Sequence, residues 1–292
     1  MQINTMRDAF LSSLYEEMKD NTKIFFLTAD FGAPILDKIR TDFTSRFINV
    51  GIAEQNLINV AVGLALEGFT VYVYAIAPFI TMRCLEQIRV NISILSQLRQ
   101  MNINIIGVGA GVSYAMSGPT HHCLEDLSIM NTLPNVEIFS PSDYILAQEY
   151  VKRTIDNNNP KYIRFDAKPM NYIECSDYNF EKGYRILKKS TSKKAYICTG
   201  YMSQKILKES KNKDITIVDI FFINTFDIDS LRYELNHINE ICTCEEGFIG
   251  AGGFDAIMNN TFKDKEVKNI GFKKQYTFNV GSREFIHNKN NL

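Results

Sequence analysis

The chain has 292 residues, of which 45% are hydrophobic and 22% charged, a composition typical of folded globular proteins and too apolar for a disordered one. This length favours two domains, each large enough to bury its own core. The 32 basic and 33 acidic residues are scattered and leave a net charge of -1, which excludes a concentrated field for nucleic acid or an anionic membrane surface.

The first half of the chain predicts strands and helices in alternation. The opening segment, MQINTMRDAFLSSLYEEMKD, predicts an amphipathic helix, and its acidic residues distinguish it from a secretion signal. One further helix starts at Glu54 and ends at Gly68, and another runs from about Phe79 to residue 98. Alternation of this kind indicates parallel strands with helices on both faces of a sheet. The expected strands are 24–28, 70–77, 103–108, 136–139 and 162–165.

The second half repeats this pattern on a smaller scale. Residues 169–190 are polar and aperiodic, which predicts a linker between domains 1–168 and 191–292. Strands are expected at 195–199, 215–220 and 240–244, followed by the loop EEGFIGAGGF and a helix. The predicted fold class is α/β, with two doubly wound, mainly parallel sheets. The tail HNKNNL is polar enough to predict disorder.

The cysteines and the hydropathy indicate a reducing compartment without membrane spans. The six cysteines form no regular framework, as a disulfide-stapled secreted protein would require. No apolar run reaches the ~20 residues that cross a bilayer. We therefore expect a cytoplasmic protein. The cysteines are Cys84, Cys123, Cys175, Cys198, Cys242 and Cys244.

Glu54 is the first candidate for chemistry, because it begins an otherwise apolar helix in the stretch FINVGIAEQNLINVAVGLALEG. Burial would raise the pKa of this carboxyl and the helix N-terminus would lower it. The position alone also suits an ordinary acidic residue that complements the helix dipole, so spacing by itself favours no catalytic role.

Several linked motifs change that interpretation. The strings GIAEQN, GLALEG and EQIR, in this order, resemble the pyrimidine-binding domain of transketolases and 1-deoxyxylulose-5-phosphate synthases. The resemblance extends from Met6 to about Arg164 and continues more weakly through the C-terminal domain. It implies that Glu54 hydrogen-bonds N1' of the aminopyrimidine of thiamine diphosphate and favours the imino tautomer that removes the thiazolium C2 proton.

The resemblance assigns an aromatic residue and a histidine to the same site. Phe79 matches the residue packed against the aminopyrimidine, although it could be an ordinary core residue and the alignment could slip toward Met82. His121, in GPTH, matches the histidine that contacts substrate near its reacting oxygens. Residues 121 and 122 could instead be loop histidines bonded to backbone.

A metal site is the third interpretation of this loop. It would combine the two histidines with Cys123, Glu125 and Asp126. Adjacent histidines rarely have the spacing of a structural zinc site, and no second ligand pair is evident. We predict no metal site on this chain.

The sugar-binding part of the family pattern is only partly present. Arg7 and Arg164 match arginines that hold a sugar phosphate, a role suited to a planar guanidinium; each alone would be an ordinary solvated charge. Ser117 stands where transketolases have an aspartate that contacts a sugar hydroxyl. Gly109 and Pro34 replace a histidine and a serine that bind phosphate. A substrate outside the usual pentose phosphates is therefore expected.

The family also needs a second surface for the cofactor. There, a GDG motif and a following asparagine hold Mg2+ and the diphosphate, whereas this sequence opens directly on the pyrimidine-binding domain. We expect an N-terminal transketolase-like partner, an active site between chains and an α2β2 assembly. Contacts are expected at 51–68 and on the EQIR helix with Glu86 and Arg89. The C-terminal domain resembles the family's third domain, which is mainly structural.

The resemblance implies an enzyme subunit that transfers a two-carbon ketol unit between sugars, whether phosphorylated or not. Two alternatives remain open. The beta subunit of a 2-oxo acid dehydrogenase shares the domain order, and a non-catalytic regulatory subunit could keep the fold. The GPTHH loop and the two arginines favour sugars over 2-oxo acids.

Overall fold

The computed structural model describes residues 3–174 and 179–292. Cys175 and the rest of 175–178, within the predicted linker, lie outside the described residues, as do residues 1 and 2. The described part contains two larger sheets, which confirms the predicted α/β class.

The first large sheet has six strands, all parallel to their neighbours. Its strands are β2 (Ile24–Thr28), β3 (Phe47–Asn49), β4 (Thr70–Ile76), β5 (Ile103–Val108), β6 (Glu137–Phe139) and β7 (Lys161–Phe165). They lie side by side in the order β3-β2-β4-β5-β7-β6. The five strands predicted from apolar runs are present, while the short edge strand β3 was missed. Three residues give too short a pattern to detect.

Helices cover both faces of this sheet. They are α1 (Met6–Asp20), α2 (Pro34–Asp42), α3 (Glu54–Leu66), α5 (Asp126–Met130) and α6 (Tyr144–Asp156). The helix predicted at 79–98 is present but irregular: two π-helical turns, Phe79–Arg83 and Ile88–Ile94, flank the short α4 (Leu85–Gln87). A 3-10 turn at Leu95–Gln97 completes it. π-helical turns occur frequently at functional sites. We call residues 79–97 the irregular helix.

The second large sheet has five strands, of which one is antiparallel. The strands are β9 (Tyr184–Lys188), β10 (Lys194–Cys198), β11 (Thr216–Ile220), β12 (Glu240–Phe248) and β13 (Glu266–Phe272), in the order β13-β12-β10-β11-β9. Its helices are α7 (Tyr201–Glu209), α8 (Ile228–Glu234), α9 (Phe254–Thr261) and α10 (Arg283–Lys289). The short β1 (Ile3–Asn4) pairs with β8 (Met170–Asn171) in a separate antiparallel ladder.

Two segments differ from the sequence-based expectation. The predicted linker 169–190 contains β8 and β9, and β9 belongs to the second sheet through its pairing with β11. The tail predicted as disordered is partly helical, because α10 includes His287. That histidine is buried and bonds the Glu246 carboxylate, so a polar sequence is ordered by a buried hydrogen bond.

A buried arginine joins the two sheets. Arg185, on β9, donates to Asp219 on β11 at 2.9 Å and to Asp143, the N-cap of α6, at 2.7 Å. All three side chains are fully buried. Ser142 also accepts from the arginine, at 2.8 Å. The guanidinium therefore neutralises two buried carboxylates on different parts of the fold.

A second buried cluster surrounds Glu246, on β12. Arg283 binds this carboxylate and also Asp166, which follows β7, at 2.6 Å. Burial would raise the pKa of Glu246, but Arg283 and His287 outweigh it and hold the pKa below its usual range. Glu246 also accepts from the backbone N–H of Val112 at 3.1 Å. The second sheet thereby anchors the loop that follows β5.

Burial, rather than pairing with a cation, dominates the pKa of the neighbouring Glu245 carboxyl. Burial raises the pKa of this carboxyl from 4.5 to about 8. Its side chain accepts from the backbone N–H of Asp255 at 3.1 Å. A raised pKa means that folding favours the protonated form, so its contribution to stability is complete below pH 4.5 and is lost as the pH rises through about 8.

We expect Glu245→Gln to stabilise the protein at neutral and alkaline pH. The amide oxygen of glutamine still accepts from Asp255, and the cost of ionising a buried carboxyl disappears. The gain in free energy of unfolding should grow with pH across this window, by at most roughly 1.4 kcal/mol per pH unit. Urea unfolding of both proteins between about pH 5 and 8.5 measures it. Parallel stability curves would show that Glu245 does not titrate in this range.

Candidate functional site

The site lies at the carboxyl ends of β2, β3, β4 and β5. In open parallel sheets these ends form the crevice where ligands bind. The loops that follow them carry Asp30, Glu54, Phe79 and His121. Three of the six residues predicted from the sequence, Glu54, Phe79 and His121, therefore come from separate segments to one edge of the sheet.

Glu54 is the first residue of α3 and is only 3% exposed. The loop before it turns at Gly51, whose φ of +75° favours glycine. No side chain caps the helix, since Ala53 is its N-cap. The apolar face of α3 packs into the core, and this packing fixes the Glu54 carboxylate at the N-terminus of the helix. Glu54 is therefore a buried carboxylate whose orientation is fixed by the helix.

Phe79 and His121 are in contact with each other. Their ring centroids are 5.3 Å apart in an edge-to-face arrangement. His121 is half-buried, and its Nδ1 lies 3.0 Å from the Thr120 hydroxyl. The ring of Tyr114 lies 6.2 Å from His121 on another side. Phe79, His121 and Tyr114 thus form one aromatic cluster at this edge of the sheet.

Arg83 is a site residue that the sequence reasoning missed. Its Nη1 donates to Glu54 Oε2 at 2.5 Å, and its guanidinium carbon lies 4.8 Å from the centroid of the Phe79 ring. Arg83 is itself 44% exposed at its side chain. The available signal was its place four residues after Phe79, a spacing that puts two side chains on one helix face.

Arg7 lines a separate cleft next to this constellation. It makes a forked ion pair with Asp8, at 2.8 and 3.0 Å. The cleft has a volume of about 710 Å³ and is also bordered by Asp30 and Pro34. Asp30 has a φ of +53°, a left-handed conformation uncommon outside glycine, and exchanges hydrogen bonds with Asn49. No pattern in the sequence pointed to this aspartate.

The loop after β5 explains one departure from the family pattern. Gly109 has a φ of +111°, and a Cβ there would lie 2.4 Å from the ring of Tyr114. The tyrosine ring therefore fills the space that a side chain at 109 would need. Gly111 is similarly restricted, because a Cβ would lie 2.0 Å from the carboxylate of Glu246. Ser117, in the same loop, is exposed.

Arg164, which the sequence predicts as a ligand of the sugar phosphate, is buried in the structure, and that role stays a prediction. Its side chain is 4% exposed, and its Nε donates to Asp126 at 2.6 Å. A second nitrogen donates to the backbone carbonyl of Glu246 at 3.2 Å. Burial opposes the charge, but Asp126 keeps the guanidinium protonated by raising its pKa. This arginine therefore connects the first sheet to Glu246 of the second sheet.

The adjacent residues considered as metal ligands differ in their burial and in their partners. His122 and Cys123 are buried, whereas His121 is half-buried and contacts the ring of Phe79. Asp126 is used by Arg164 and by the hydroxyl of Tyr162, which donates to it at 2.7 Å. Among residues 3–174 and 179–292, no group of three or more His, Cys, Asp or Glu side chains is arranged to hold a metal ion.

The part of the chain that contains the first sheet matches a known domain family. The family described as "Transketolase, pyrimidine binding domain" matches residues 3–170. That match includes every residue of the crevice described above. The described helices contain none that is long and apolar enough to cross a bilayer.

Relatives match nearly the whole chain. One of the subunits of the apulose-4-phosphate transketolase of Phocaeicola vulgatus is 29% identical to this chain. The alignment covers 96% of this chain and 92% of that subunit. A 6-deoxy-6-sulfo-D-fructose transketolase subunit from a Clostridium species is 24% identical, over 85% of this chain and 77% of that subunit. A solved structure described as "Split gene transketolase, inactive beta4 tetramer" superposes with a TM-score of 0.82 at 26% identity, over 98% and 93%.

Proposed function

The chain belongs to the transketolase family, as the C-terminal subunit of a transketolase-type transferase, and on this premise we propose that Glu54 serves thiamine diphosphate at a site shared with a partner subunit. The reaction is transfer of a two-carbon ketol unit between sugar substrates. Thiamine diphosphate, when bound, supplies the carbon nucleophile that cleaves the ketose.

The observation that carries the proposal is a buried carboxylate beside an aromatic face. Glu54 presents Oε2 to a planar nitrogen donor of Arg83, and Phe79 lies against the same guanidinium. An aminopyrimidine has the same two properties, a flat surface and a nitrogen that bonds a carboxyl group. The residues present therefore fit the pyrimidine half of this cofactor.

Four residues of this chain have defined roles in the proposal. Glu54 shares a proton with the ring nitrogen and so sets its tautomer. Phe79 fixes the plane of the ring. His121 borders the space in front of both and hydrogen-bonds substrate oxygens. Arg7, in the adjoining cleft, binds the distant anionic end of the sugar through guanidinium N–H groups other than the two that pair with Asp8.

The diphosphate and Mg2+ belong to the partner in this proposal. The solved relative composed of beta chains alone is described as inactive, which supports a requirement for a second kind of subunit. Exposed hydrophobic side chains just before α3, along the irregular helix and directly after it support subunit contacts there: these are Ile52, Val90, Ile94 and Leu98. An α2β2 assembly buries them and completes two sites.

The substrate we propose is a sugar outside the common pentose phosphates. Ser117 is exposed and Tyr114 closes the space at Gly109, so the acceptor side of the crevice has its own shape. The two named relatives are described by different and uncommon sugars, which supports divergence of this part of the site. We also propose a cytoplasmic location, where the five described cysteines, all free, stay reduced.

Cofactor binding by separate and mixed chains tests the shared site. The chain is co-purified with an N-terminal transketolase-like subunit, and each chain and the mixture are titrated with thiamine diphosphate and Mg2+ in a calorimeter. We expect binding in the mixture to be at least about 100-fold tighter than by either chain, because the two ends of the cofactor contact different chains.

The controls separate the competing functions. Equally tight binding by this chain alone would contradict a shared site, and no binding by any mixture would favour a regulatory subunit. Turnover is then assayed with ketose phosphates and with pyruvate. Turnover of pyruvate with a lipoyl acceptor, and of no sugar, would identify a 2-oxo acid dehydrogenase instead.

A further inference from the structure

The guanidinium of Arg83 uses the same two contacts that the cofactor ring requires. It donates to Oε2 of Glu54 at 2.5 Å and lies over the Phe79 ring at 4.8 Å. Guanidinium and aminopyrimidine are both flat, conjugated and equipped with N–H donors. One carboxylate oxygen and one ring face cannot hold both groups in the same positions.

We propose that Arg83 is a latch that closes the aminopyrimidine site until the cofactor displaces it. This inference rests on the proposed function, and it adds a competing group within the chain itself. With the latch closed, Glu54 is neutralised by an internal partner and Phe79 is covered. The site is then satisfied without any ligand.

The surroundings of Arg83 allow it to leave. Its side chain is 44% exposed, whereas that of Glu54 is 4% exposed, so the arginine can move into solvent while the carboxylate stays fixed at the start of α3. Its backbone carbonyl is held by the Gln55 side chain at 3.2 Å. Arg83 ends a π-helical turn, and its exposed guanidinium can be hydrated after it leaves. The cofactor nitrogen then takes its place at Glu54, so the buried carboxylate is not left unpaired when the latch opens.

A closed latch lowers the apparent affinity for the cofactor. When only a fraction of the molecules is competent to bind, the dissociation constant rises by the inverse of that fraction. Removing the latch should remove this factor. It should leave the affinity for diphosphate and Mg2+ unchanged, because Arg83 competes only at the aminopyrimidine end.

The test compares the assembled complex of the wild-type chain with that of Arg83→Met. Methionine keeps much of the length of the side chain but has no donor and no charge. We expect the thiamine diphosphate dissociation constant, measured by calorimetry, to fall about 3- to 10-fold. The affinity for inorganic diphosphate with Mg2+ should not change. Arg99→Met is the matched control, since Arg99 follows the irregular helix, is exposed and donates to the Leu66 carbonyl.

A second variant separates the effect of losing the flat guanidinium from the effect of losing its positive charge. Arg83→Lys keeps the charge and can still reach Glu54, but it lacks the flat surface, so its dissociation constant should lie between the other two. Equal or weaker cofactor binding by Arg83→Met, in a complex whose wild-type form binds, would overturn the latch alone. Absence of cofactor binding by the wild-type complex would overturn the proposed function and the latch together.

Discussion

Replacing Glu54 by glutamine is expected to lower kcat of the assembled enzyme by about 100- to 10,000-fold, the range found when a positioned acid or base is removed. Glutamine has the same shape and can still bond a ring nitrogen. It cannot exchange a proton, so it cannot shift the tautomer of the ring. Steady-state turnover measures the effect, and size-exclusion chromatography checks that the complex still forms.

The matched control lies on the same helix. Glu67 follows the last residue of α3 and is exposed, so Glu67→Gln changes the same functional group at the opposite end. Its kcat should stay within about twofold of the wild type, since exposed substitutions away from a site have small effects. A Glu54→Gln enzyme that turns over at a similar rate would refute the catalytic assignment.

Replacing Arg185 by methionine is expected to cost about 3–5 kcal/mol of folding free energy, the range for breaking a buried ion pair from one side. Asp143 and Asp219 would remain buried without their shared cation. Burial already raises the pKa of Asp219 despite the arginine. Without it, both carboxyls should take up protons to stay buried.

The pH dependence of this variant identifies the mechanism. Carboxyls whose pKa is raised by folding stabilise the protein below their unfolded pKa and lose that contribution as the pH rises. The stability deficit of Arg185→Met should therefore be larger at about pH 8 than at about pH 5 in denaturant unfolding. Arg40→Met serves as control, because Arg40 forms an exposed pair with Asp37 at 2.9 Å; its cost should be below about 1 kcal/mol. A deficit independent of pH would indicate lost packing instead.

The second sheet also helps to position the loop that carries His121. Glu246 holds the backbone of the loop that carries His121, through Val112, and leaves room only for glycine at 111. The same carboxylate is fixed by Arg283 and His287 near the C-terminal end of the chain. The C-terminal part therefore supports the geometry of the loop that carries His121.

Sequence alone determined the elements that depend on near neighbours. Apolar runs predicted the strands of the first sheet, and the spacing of apolar residues after Glu54 predicted α3 and the burial of its inner face. The linked motifs, through the family resemblance, predicted Glu54, Phe79 and His121 as site residues, and each of the three follows a strand of the first sheet. Carboxyl ends of neighbouring parallel strands necessarily meet at one edge of a sheet.

Only the tertiary structure decided which charged and polar side chains pair, because the partners are distant in sequence. Glu54 and Arg83 are 29 residues apart, Arg164 and Asp126 are 38 apart, and Glu246 and His287 are 41 apart. A strand such as KYIRF, buried on both faces, has no alternation to show where Arg164 points. Burial makes an unpaired charge costly, so the fold, by bringing particular carboxylates within reach, fixed Arg164 in the interior, ordered the polar tail and placed Arg83 over Phe79.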